Sequence, residues 1–132
     1  MPLVVYKFEN SKKNNMSRDE TLKNNYKKLC LKLSEQFLEG EEIDLDAILF
    51  LIGVQELGVG KKRFKKDEKI NLMHVALCRL LEPYGYYKFS HFDADKWPHY
   101  DLVNELPMLK PGEQSVLVKE AIVQYFIEKN YI

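Results

Sequence analysis

YYKFSHFDADKWPHYDLV, residues 86–103, is the stretch whose reading decides the fold. Apolar and polar residues alternate on either side of Asp93-Ala94-Asp95-Lys96, the pattern of two half-buried strands joined by a turn. Centring the turn on Ala94 and Asp95 sets Phe92 opposite Trp97, Ser90 opposite His99 and Lys88 opposite Asp101. On the other face His91 meets Pro98, Phe89 meets Tyr100 and Tyr87 meets Leu102. This register gathers Tyr87, Phe89, Pro98, Tyr100 and Leu102 on one side and pairs Lys88 with a carboxylate across the ribbon. A slip of one residue would scatter the apolar set.

The same register predicts that His91 and His99 point to opposite faces, because successive side chains of a strand alternate. They then share no metal ion. Zinc needs three or four nitrogen or sulfur ligands, and the stretch does not assemble them. Asp93 and Asp95 read as turn residues whose carboxylates bond their own backbone. The competing reading is a site built from Asp93, Asp95 and one histidine.

Outward from the hairpin the chain reads as helices. A third helix runs from about Asp67 to Glu82 and is stopped by Pro83; a last one runs from about Pro111 to Asn130. A second starts at Asp44, a good N-cap, and is apolar almost all round from Ala47 to Val54, which predicts the centre of the fold. Ser17 and Glu20 have capping-box spacing and open the first helix, with Leu22, Tyr26, Leu29, Leu33 and Phe37 on one face and Gly40 as its stop. Residues 9–16 are polar and turn-rich, a predicted loop. Residues 3–8, LVVYKF, are β-prone, a short strand or a flexible arm. The expected architecture is mainly α: a single domain of four helices, with a β-hairpin between the third and fourth. A short N-terminal strand would add to the hairpin, since an isolated two-stranded ribbon is marginal.

At 132 residues the chain fits one domain. Lys and Arg together number 20, as do Asp and Glu, and this balance speaks against a general nucleic-acid binder. Cys30 and Cys78 fall inside helical patterns and read as free, buried thiols of a reducing compartment. MPLVVYKFEN lacks the order of a secretion signal, and no apolar run reaches membrane-spanning length. A cytoplasmic protein with no membrane partner is expected.

Three groups of residues are candidates for function. His74 sits among Ile70, Met73, Leu77 and Leu81, with Cys78 one turn on. It reads as a core histidine, and Gln55 or Glu56 is the buried partner it would need. Lys61, Lys62, Arg63, Lys65 and Lys66 surround Phe64, which could stack on a base while the cations hold RNA or another polyanion. The last helix carries two apolar stripes, one of Leu117, Val118, Ala121, Ile122, Tyr125 and Phe126, the other of Val116, Val123 and Ile127. Two stripes need two surfaces, and the second is available to a partner.

No nucleophile elbow, dinucleotide fingerprint, Walker loop or paired-cysteine pattern is present. The expectation is a non-catalytic protein–protein interaction module without cofactor or metal. It would self-associate or dock a protein through Phe92, Trp97, Val116, Val123 and Ile127. The alternatives are polyanion binding by residues 61–66, and a small metal-dependent or acid/base enzyme using His74 with Glu56, or His91 and His99.

Overall fold

In the hairpin, the predicted pairs Tyr87–Leu102, Lys88–Asp101 and Phe89–Tyr100 form, and then the register shifts. Ser90 is absorbed as a bulge, so His91 faces His99 and Phe92 faces Pro98. The computed structural model describes residues 11–58 and 63–132, with side chains from Glu20 onward. In order these are helices α1 (Ser11–Phe37), α2 (Leu45–Leu57) and α3 (Lys66–Leu81), strands β1 (Tyr87–Phe92) and β2 (Pro98–Leu102), and helix α4 (Pro111–Glu128). The fold is mainly α: four helices, with an antiparallel two-stranded hairpin between the third and fourth. The expected strand over residues 3–8 lies outside the described residues.

Helix α1 begins at Ser11, so the expected loop over residues 9–16 is helical from its third residue on. No glycine or proline interrupts residues 11–37, and extending a helix already nucleated by packing costs little per residue. The helix ends as predicted. The amides of Leu38 and Gly40 both donate to the Ser34 carbonyl, and Gly40 takes a φ of 89°. The buried Ser34 hydroxyl donates to the Glu41 carbonyl and fixes the exit.

Asp44 caps α2 by accepting from the Ala47 amide at 2.8 Å. Ile48, Leu49, Ile52 and Leu57 are buried, but Phe50, Leu51 and Val54 on the other side are only half-buried. The apolar girdle therefore does not mark the centre of the fold. That place belongs to α3, which touches α2, α4 and both strands. α2 is instead one wall, and its outer residues meet Phe64 at the Phe50 ring and border a groove beside Phe37 and Tyr131. α2 and α3 come close at Gly53, where an added Cβ would lie 2.2 Å from the Leu72 carbonyl oxygen.

Leu29 and Leu33 of α1, Ile48 and Ile52 of α2, Ala76 and Leu80 of α3, and Ala121, Ile122 and Tyr125 of α4 form one core. Four helices contribute to it, which is why each amphipathic stripe in the sequence had to be present. The C-terminal residues fold back on α1: the Tyr131 hydroxyl donates to Gln36, and Lys32 donates to the Tyr131 carbonyl. Among the described residues no helix is long and apolar enough to cross a membrane.

Candidate functional site

The hairpin is held on the C-terminal half of α3. Glu82 accepts from the Phe89 amide at 2.9 Å, and Asn104 donates to the Gly85 carbonyl at 2.7 Å. At the free end Asp93 organises the turn. Its Oδ1 accepts from the amides of Asp95 (2.8 Å) and Trp97 (3.0 Å), and its Oδ2 accepts from His99 Nε2 at 2.8 Å. Lys96 takes a φ of 66°, the left-handed residue that closes a three-residue hairpin loop.

The expected separation of His91 and His99 is overturned. Their rings stack, 4.9 Å apart and within 5° of parallel. The bulge at Ser90 is the cause, and it has an evident gain. Strict alternation would have left Phe92 beside Trp97 on the outer face. The extra residue brings Phe92 round to Phe89, ring to ring at 4.9 Å, opposite the buried Pro98. Aromatic contact on one face thus places two imidazoles together on the other. Among the described residues no three His, Cys, Asp or Glu side chains are grouped to hold a metal ion.

The hydrogen bond from His99, followed by that from the Trp97 amide, holds the Asp93 carboxyl below its ordinary value. A depressed carboxyl contributes stability that is complete above the unfolded value and disappears as pH falls through the folded one. The turn should therefore survive acidification through the usual aspartate range. Amide shifts of Asp95 and Trp97 followed by NMR should show a midpoint below 3.8, the ordinary aspartate value. A midpoint at or above it would show that the carboxylate is not engaged as described.

His74 is exposed, not a core histidine. Its Nε2 lies 3.5 Å from Cys78 Sγ, and its ring stands edge-on to Tyr87. Gln55 is exposed, and Glu56 is engaged elsewhere: it accepts from the Tyr125 hydroxyl at 2.6 Å and pairs with Arg79 at 3.4 Å. The predicted pairing of His74 with Gln55 or Glu56 is therefore absent. The predicted stripe follows helical spacing correctly and is buried at Cys78 and Leu81, but it leaves the core towards its N-terminal end, at His74 and Ile70. Ile70 is 59% exposed, and in that half of the helix the buried line is Leu72, Val75 and Ala76. Burial raises the Cys78 thiol to about 11, so it stays protonated at neutral pH.

Between this stripe of α3 and the hairpin turn lies an open cleft of about 480 Å³. Glu68, Asn71 and His74 line one wall, and Asp95, Trp97 and Tyr100 the other. Trp97 is half-buried there. Burial, with Glu56 and Glu82 nearby, pushes the Tyr100 phenol up to about 12.

The other predicted contact residues separate. Phe92 is 60% exposed, and Val116 and Ile127 are also open. Val123 is buried, because α4 packs against both α1 and α3 and its middle falls inside that packing. The second stripe of α4 is thus not one continuous free surface. Lys61 and Lys62 of the basic run lie outside the described residues. Phe64 is half-buried and packs edge-on against Phe50 at 5.9 Å, so its ring is not held out for a base.

The sequence reading missed the connection from β2 to α4. Leu102, Val103, Leu106 and Met108 are all exposed, Met108 completely. Apolar residues set in the otherwise polar NELPMLKPG were the available signal. Compared with models of protein families, with curated proteins and with solved structures, the chain matches none of them.

Proposed function

We propose that the protein is a non-catalytic interaction module that docks a partner protein through the hairpin and the connection leading into α4. One observation carries this reading. Among the described residues, seven of the twelve large apolar side chains left open lie between residues 89 and 116: Phe89, Phe92, Leu102, Val103, Leu106, Met108 and Val116. Single exposed apolar residues need no explanation, but a concentration in one stretch of chain does. The backbone supports the same reading. Among the described residues the amides of Glu105, Leu106, Met108 and Leu109 find no acceptor, so the segment offers donors beside its apolar side chains. Aromatic and methionine side chains such as Phe92 and Met108 are the types that interfaces favour.

Replacing Leu106 and Met108 together by aspartate tests the proposal. Both are exposed, so the thermal midpoint should stay near that of the parent. A quantitative pull-down from the native cell should recover a discrete partner with the parent chain and lose it with the double variant, while sedimentation of the purified parent shows a monomer. Equal recovery by both chains would contradict the docking surface. A concentration-dependent dimer abolished by the double variant would assign the same surface to a second copy of the chain.

A further inference from the structure

We infer that the cleft between α3 and the hairpin turn is a binding site for an organic cation, an ammonium or guanidinium group carried on a short stem. This goes beyond the docking surface and stands on side chains other than the open apolar ones that carry that reading. At about 480 Å³ the opening has the size of a small-ligand site.

Its lining is lopsided in charge. Glu68, Asp93 and Asp95 contribute three carboxylates, and among the described residues neither lysine nor arginine lines it. Were His74 and His99 both protonated, three negative charges would still outnumber two positive. Not all of that charge is free. Asp93 spends both oxygens on the turn amides and on His99, and it serves as the frame. Glu68 gives one oxygen to the Lys65 amide at 2.9 Å and keeps the other. The Asp95 carboxylate and the Asn71 amide have no partner among the described residues. Acceptors from α3 and from the turn thus face one space.

Trp97 and Tyr100 supply the other half of the recognition. An aromatic face attracts a cation, and the carboxylates of Glu68 across the cleft and of Asp95 beside the rings accept the N–H groups. An anion would meet carboxylates on both walls, and a purely apolar ligand would leave Asn71, Asp95 and Glu68 desolvated without partners.

The protein provides its own reporter, because Trp97 is its only tryptophan. Its fluorescence should change saturably with n-butylammonium and with methylguanidinium, and should not change with butyrate at matched ionic strength. Changing Asp95→Asn and Glu68→Gln together should shift the midpoint by about tenfold or more, the scale of losing charged hydrogen bonds at a partly open site. Asp101→Asn, on the hairpin but outside the cleft, should leave the titration unchanged. An unchanged thermal midpoint and far-UV spectrum separate lost binding from lost fold.

Two further ligands distinguish the sources of such a cation, and saturable binding of either supports the site. Tighter binding of agmatine assigns it to a free amine, and tighter binding of arginine blocked at both ends assigns it to a protein side chain. The proposal is overturned if neither cation saturates, if butyrate acts equally, or if the double variant titrates like the parent. None of these outcomes bears on the Leu106 and Met108 surface, whose test uses other residues.

Discussion

Alanine at position 53 should cost the protein about 3 kcal/mol or more of stability, the upper range for forcing extra atoms into a packed interior. The added Cβ would sit 2.2 Å from the Leu72 carbonyl oxygen, 2.7 Å from its carbonyl carbon and 2.9 Å from its Cβ. Two of those three are backbone atoms of a helix and cannot turn aside as a flexible side chain would. The two helices must separate by more than an ångström, opening the contact that buries Ile48, Ile52, Leu72 and Ala76. Alanine favours a helix interior over glycine by about 1 kcal/mol, which offsets only part of the loss. Denaturant titration of Gly53→Ala measures the difference. Stability equal to the parent would mean that α2 and α3 do not meet at this point.

The second large effect is expected at Glu56. This carboxylate joins three helices: it accepts from Tyr125 of α4 and pairs with Arg79 of α3, which also reaches Glu128 at 3.8 Å. Tyr125 is almost wholly buried, and burial together with Glu56 drives its phenol far above the ordinary range. Glu56→Ala strands that hydroxyl without an acceptor and removes the nearer partner of Arg79. Leaving a buried donor unsatisfied, with a weakened ion pair, should cost about 2–3 kcal/mol. Glu56→Gln keeps an acceptor and should lose less. His74→Ala should change stability by no more than about 0.5 kcal/mol, as for an exposed residue that makes a long contact to Cys78 and a ring-edge contact to Tyr87. Equal losses from Glu56→Ala and His74→Ala would restore the buried pair that the sequence suggested.

That contrast marks where sequence reading reaches its limit. Helical spacing placed His74 on a stripe with Ile70 and Cys78, and the stripe exists. Periodicity reports which residues share a face, not which of two faces is covered. Ile70 is open while Leu72 is not, and only the position of α2 and the hairpin around α3 decides it. The four helices, the Asp44 cap, the Gly40 stop and the first three hairpin pairs were legible because each rests on local chemistry.

The bulge at Ser90 was not legible, since both registers set Phe89, Pro98 and Tyr100 on one face. What separates them is whether Phe92 finds Phe89, a matter of packing at one residue. The stacked imidazoles follow from that choice. The open segment at Leu106 and Met108 was overlooked for the opposite reason: a loop reading hides apolar residues that no helix or strand period organises.

Photocrosslinking in the native cell tests the docking surface most directly. A photoreactive phenylalanine analogue placed at Met108 should form one discrete adduct, and the same analogue at Lys28, exposed on α1, should form none. Identical adducts from both positions, or none from Met108 when the chain is expressed at its natural level, would contradict it.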